Sequence, residues 1–223
     1  MGRKSFIVLL SAILVVHAVP ADAGVKETKH NFTSQTYSPN AFFWGTKQVC
    51  VFCHTAHNGD QSLGQLWNHE TNASQPYTMY QSATMDMTMS AAPHEGSLIC
   101  LSCHDGTIAV NSLNNLPGPE GAGSYGTPGG AALDGSGRLT SASTSYVGTD
   151  LRDDHPVGVT YDASKDPDFV AKSGDPQQYP DRLLHQGLYV ECTSCHNPHD
   201  NTYSDFLVES NAGSVLCLRC HTK

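Results

Sequence analysis

Residues 192–199 read Cys192-Thr193-Ser194-Cys195-His196-Asn197-Pro198-His199, and residues 217–221 repeat the first part of that pattern as Cys217-Leu218-Arg219-Cys220-His221. Two more copies lie upstream, Cys50-Val51-Phe52-Cys53-His54 and Cys100-Leu101-Ser102-Cys103-His104. All 8 cysteines of the chain fall in these pairs, and a histidine follows each pair at once. Cys-x-x-Cys-His is the attachment signature of c-type haem. The spacing lets two thiols reach the two vinyl groups on one porphyrin edge, while the adjacent imidazole swings under the iron as proximal ligand. Zinc sites built from four thiolates favour similar cysteine spacing, but have no need of a histidine after every second cysteine. Disulfides are natural in an exported chain, yet one closed over two residues is usually a redox-active bridge, and four together would be odd. The pattern therefore predicts four covalently attached c-type haems. Cys50, Cys53, Cys100, Cys103, Cys192, Cys195, Cys217 and Cys220 carry them, with His54, His104, His196 and His221 as proximal iron ligands.

Working outward, the distal ligands come next. His17 lies in the N-terminal apolar segment, which leaves His30, His57, His69, His94, His155, His185 and His199. His57 and His199 each follow a proximal histidine by three residues, in Cys-His-Thr-Ala-His57-Asn and Cys-His-Asn-Pro-His199-Asp. A histidine so placed cannot cross to the far face of its own haem. Three residues advance only about 4.5 Å along a helix, so it reaches the iron of a close neighbour instead. His155 sits in Asp153-Asp154-His155-Pro156-Val157, where the proline holds it extended and the carboxylates are placed to receive its second ring N–H. His30, in Lys29-His30-Asn31-Phe32, stays open on this reasoning, and His69, His94 and His185 are reserves. The methionines at 79, 85, 87 and 89 read as a short strand packed on porphyrin rather than as ligands.

The first 23 residues read as a secretory leader. Arg3 and Lys4 precede a largely apolar run from Phe6 to Val19, and Ala21-Asp22-Ala23 offers a small-x-small cleavage site. The run is shorter than the roughly 20 residues of a membrane span. Removing this leader takes Arg3, Lys4 and Asp22 from 12 basic and 21 acidic residues, leaving 10 and 20. An acidic chain of that kind argues against nucleic acid and anionic membrane as partners. Leu, Ile, Val and Phe make up only 34 of the 200 residues after the leader. That falls below the level at which apolar side chains alone offset chain entropy, so the core must draw on something else. The expected fold is mostly irregular coil with short α-helices, as at Ser214 to His221, little β beyond a small hairpin, and haem as its organiser. Residues 24–223 read as one tetrahaem domain, with a surface loop or loose hairpin over the Gly-, Pro- and Ser-rich stretch from Leu116 to Ser145.

The combination Lys29-His-Asn-Phe, Cys50-Val-Phe-Cys-His-Thr-Ala-His-Asn, Leu66-Trp-Asn-His, Cys100-Leu-Ser-Cys-His-Asp-Gly-Thr, Asp153-Asp-His-Pro-Val-Gly, Cys192-Thr-Ser-Cys-His-Asn-Pro-His-Asp and Cys217-Leu-Arg-Cys-His resembles the multihaem cytochromes of metal-reducing bacteria. It is most similar to the OmcE-type tetrahaem, filament-forming outer-surface cytochromes. The resemblance implies two axial histidines per haem, subunits stacked so that their haems form a continuous wire, and His30, His57, His155 and His199 as distal ligands. It implies too that one distal histidine comes from a neighbouring subunit, and the N-terminal His30 is the candidate. Only Thr222 and Lys223 follow His221, so the fourth haem is expected to be covered by earlier segments or by another molecule, which favours head-to-tail contact. The expectation is an extracellular electron conduit, a head-to-tail homopolymer with other redox proteins or extracellular electron acceptors as further partners; a soluble periplasmic tetrahaem shuttle is the alternative. An enzyme would need an iron with an open position, and the surplus of histidines argues against one.

Overall fold

The computed structural model describes residues 24–34, 36–38, 46–64, 66–72, 74–116 and 132–223. The leader at 1–23 and most of the Gly-rich stretch, 117–131, lie outside the described residues. Among the described residues, two α-helices occur, α1 (Glu95–His104) and α2 (Cys192–Cys195), together with short 3-10 turns such as Val49–Phe52, Ala212–Ser214 and Cys217–Arg219. Three two-residue strands, β1 (Thr88–Met89), β2 (Val159–Thr160) and β3 (Tyr189–Val190), form an antiparallel sheet in the order β1-β2-β3. The remainder is irregular, as composition predicts. The expected C-terminal helix is two 3-10 turns, because Gly213 and Ser214 take positive φ angles of 64° and 62°.

The sheet is not a hairpin, since its strands come from three distant segments. Met87 and Met89 do pack at its edge, in a cluster with Val159, Tyr161 and Leu184. A local hairpin does form at the described end of the Gly-rich stretch. There Leu133 bridges Leu139 antiparallel, and Asp134 accepts from the backbone N–H groups of Ser136 and Arg138 across the turn.

Buried apolar residues fall into three small clusters rather than one core. Phe52, Val110, Leu113 and Leu133 pack with Cys53 and Cys103; Met87, Val159, Tyr161 and Leu184 pack with Cys220; Met79, Leu101 and Leu151 form the third. Each therefore borders an attachment motif. At about 25 cal/mol per Å2 of apolar surface, such isolated patches of three or four side chains offset little chain entropy by themselves.

Two glycines are demanded by the backbone. Gly106, just after His104, has φ 71°, and a Cβ there would meet Leu139 O at 2.6 Å. Gly158, closing the His155-Pro-Val-Gly stretch, has φ 76° and lies against the Met79 methyl. Both positions favour glycine because other residues strain at positive φ.

Candidate haem-ligand sites

Each Cys-x-x-Cys-His segment is set by a helix or turn ending at its histidine. α1 runs through Cys100 and Cys103 to His104, α2 spans Cys192 to Cys195, and 3-10 turns carry the first and last motifs. In the first, third and fourth, the histidine N–H donates to the carbonyl of the first cysteine, at 2.8, 3.0 and 2.9 Å. That bond folds both thiols and the imidazole to one side. All 8 cysteines are free thiols. Burial pushes the Cys53 and Cys103 thiols up to about 12 and Cys220 up to about 11.

The structure brings three motif histidines to partners far away in sequence. His54 and His199 have ring centres 5.8 Å apart, His104 and His30 6.0 Å, and His221 and His155 6.4 Å. Two imidazoles on opposite faces of one iron, each with a metal–nitrogen bond of about 2 Å and about 1 Å more to the ring centre, keep their centres roughly 6 Å apart. Their planes share the metal–nitrogen axis, so separation is fixed while the angle between planes is free. The angles observed, 18°, 71° and 76°, span that freedom. Face-to-face ring contact is closer, as His94 over Tyr189 at 3.9 Å shows.

Ring tautomers suit the same role. His104 Nδ1 lies 2.6 Å from Ser145 O and His196 Nδ1 2.7 Å from Asp205 O. Donation from Nδ1 to a carbonyl leaves Nε2 with its lone pair for a metal. His155 behaves likewise, but its Nδ1 faces Pro156 O at 3.2 Å and not the carboxylates of Asp153 and Asp154 expected from the sequence. Those carboxylates stand at the surface, where water solvates them.

The reserve histidines have other work. His69 is 1% exposed, with Nδ1 2.7 Å from Glu70 O and Nε2 3.0 Å from Ala109 O. His94 donates from Nδ1 to Glu191 at 2.7 Å, and its Nε2 lies 3.3 Å from Ser90 Oγ. His185 pairs with Glu95 at 3.8 Å. The remaining two site residues, His57 and His196, both stand at the surface, and among the described residues their rings do not meet.

His30 lies beside a motif histidine of its own chain. Its segment is pinned to its own chain: Gly24 N–H donates to His199 O at 2.8 Å, and the His30 ring stacks on Phe206 at 4.8 Å. Burial, and then His104, lower the His30 pKa from its usual value to about 4, so the ring is neutral and able to ligate near pH 7. The sequence offered His30 as the ligand that crosses to a neighbour; the structure sets it beside His104 of the same chain.

Residues with no motif hold the frame. Asn68 is fully buried, donates from Nδ2 to Val51 O at 2.5 Å and Asn115 O at 2.8 Å, and accepts Asn115 N–H at 2.8 Å. Glu191 does comparable work between α1 and α2. No sequence signal separates Asn68 or Glu191 from surface polar residues, because their partners are remote in the chain.

The described residues also suit a porphyrin. Trp67 Nε1, whose ring is edge-on to His54 at 6.3 Å, is buried with no hydrogen-bond acceptor. Such orphans cost free energy unless a bound group with acceptors completes them. Among the described residues, no helix is long and apolar enough to cross a membrane.

Comparison with known families matches residues 185–223 to the doubled CXXCH motif. The match takes in both C-terminal attachment segments and supports a multihaem c-type cytochrome. No curated protein matches the chain.

Proposed function

We propose that this haem-binding electron-transfer cytochrome carries four haems, each between two histidines, and works as the subunit of an OmcE-type extracellular conductive filament. The observation that carries the ligand assignment is the set of three histidine pairs with ring centres 5.8–6.4 Å apart. Each joins a motif histidine to a remote one: His54 with His199, His104 with His30, and His221 with His155. When bound, haem supplies a one-electron iron couple, and two imidazole ligands favour low potentials.

The chain's own residues fix the rest. Ser145 O and Asp205 O hold His104 and His196 in the Nδ1–H tautomer, Phe206 and Phe169 pack beside the ligand rings of His30 and His221, and eight cysteines anchor the porphyrin edges. With two histidines assigned to each iron, no position would be left open for a substrate, which supports a carrier over an enzyme.

His196 and His57 form the fourth pair. Both face outward, and we assign His57 to the His196 iron of the next subunit in a head-to-tail polymer. A heterologous contact of that kind does not close, so it grows into a filament. The acidic surface and the export leader suit delivery of electrons to acceptors outside the cell.

The test is to shear native cells and image the purified haem-containing material by electron microscopy. Ordered filaments of this protein, with imidazole density passing between subunits at His196, support the reading. Discrete particles confined to the periplasm, with His57 and His196 on one iron of a single chain, would overturn the filament and leave a soluble shuttle.

A further inference from the structure

Between the second and third attachment motifs lies a cluster of polar groups that electron transfer itself does not use. Glu191 is 1% exposed, yet it carries a carboxylate. That carboxylate receives His94 Nδ1 at 2.7 Å, Ser97 Oγ at 2.5 Å and the backbone N–H of Ser194 at the start of α2. Ser97 is itself completely buried, and its Oγ accepts the Cys192 N–H at 2.9 Å. A buried carboxylate persists only when paired and hydrogen-bonded, and every one of these bonds serves that need.

His94 links the cluster to water. Its side chain is 30% exposed, it stacks on Tyr189, and it lines an open cavity of about 450 Å3 with Ser62, Glu95 and Gln186. The cluster is also close to both cofactor anchors. Glu191 directly precedes Cys192, and Ser97 lies one helical turn, about 4.5 Å of rise, before Cys100. Ser97 Oγ, which accepts the Cys192 N–H, ties the two anchoring segments together. Any charge gained beyond those anchors is felt by a carboxylate shielded from solvent.

We infer that His94 and Glu191 form a redox-linked proton site, which takes one proton from solvent when an electron enters the adjoining haems. The inference rests on the haem reading above. The balance is one electron from a low-potential one-electron donor and one proton from water by way of the cavity. The electron would reduce ferric iron to ferrous, and the proton resides on His94, turning its hydrogen bond to the Glu191 carboxylate into an ion pair. Electron exit returns the proton along the same path. The charge added by reduction is thus neutralised within the protein, and the potentials of the neighbouring haems depend on pH.

Other titratable groups face the cluster and define the controls. Glu95 comes from α1, and His185 and Tyr189 from the segment before α2. His185, at 3.8 Å from Glu95, is the nearest competing imidazole.

The experiment is potentiometric titration of the haem-loaded full chain from about pH 5 to about pH 8, the range in which imidazoles change charge. Haem content is verified first by the pyridine haemochrome spectrum. The wild-type potential should fall as pH rises, by up to the 59 mV per tenfold change that a one-electron, one-proton couple gives. His94→Asn keeps a donor at the Nδ1 position without a titrating ring, and should flatten that dependence; His185→Gln should leave it intact. Should His94→Asn fail to fold, proton uptake by the wild type on reduction in unbuffered solution, with the ring nitrogens of His94 followed by NMR, reads the same event. A pH-independent wild-type potential, an unchanged slope in a folded His94→Asn, or a His94 ring that keeps its protonation state on reduction overturns the inference. A protein that binds no haem would overturn the functional reading instead.

Discussion

His30 shows how a single residue takes its role from placement rather than from motif. Its immediate neighbours give no chemical reason for a ligand, yet its ring lies 6.0 Å from His104 and stacks on Phe206. His69 beside Trp67 looks at least as good in sequence, but both its nitrogens face carbonyl oxygens inside the fold. The two make opposite predictions. His30→Ala should leave haem content unchanged while about a quarter of the iron becomes high-spin and binds carbon monoxide, since the six-coordinate state needs both axial ligands. His69→Ala should keep every iron low-spin and lower stability instead, because a buried carbonyl loses the ring N–H that serves it. Optical and EPR spectra of the two variants check this. A low-spin His30→Ala protein that ignores carbon monoxide would sink the assignment of His30.

At the scale of elements, short helices and turns hold together through buried polar bonds that replace a large core. The link from Ser97 in α1 to Glu191 and Cys192 at α2 is the clearest case. Ser97→Ala leaves a buried carboxylate and a backbone N–H each short of a partner, so it should cost about 1–3 kcal/mol in denaturant unfolding of the loaded protein. A loss near zero would mean that water takes the place of the hydroxyl. Asp181 does similar work for the turn at 173–174. Burial would raise its carboxyl, but the Ser173 and Gly174 N–H groups and the Ser173 hydroxyl outweigh that and hold it below the usual range. A carboxyl depressed on folding stabilises above its ordinary value of about 3.9, and the stabilisation fades as pH falls through the folded value. Asp181→Asn should therefore lower the melting temperature near neutral pH, with the gap from wild type narrowing below about pH 4. A gap that stays constant into acid would show that the loss comes from amide geometry and not from charge.

Across the whole molecule, three histidine pairs close within the chain while His57 and His196 face outward, and the assembly prediction follows from that contrast. His57→Ala should leave a folded subunit that has lost its filament and carries high-spin iron at the His196 site, as read by sedimentation velocity and EPR together. Filaments of normal length from that variant would remove His57 from the contact. The two C-terminal attachment segments were legible in sequence because the chemistry is local: two thiols and an imidazole must meet one porphyrin within five residues. The irregular fold was legible too, since a chain with so few large aliphatic residues cannot build a single apolar core. The pairing of histidines, the anchoring of His30 within its own chain, the Pro156 carbonyl in place of a carboxylate at His155, and the buried roles of Asn68 and Glu191 were decided by tertiary structure alone. Each depends on segments far apart in sequence meeting in space, and no residue's neighbours in the chain carry that information.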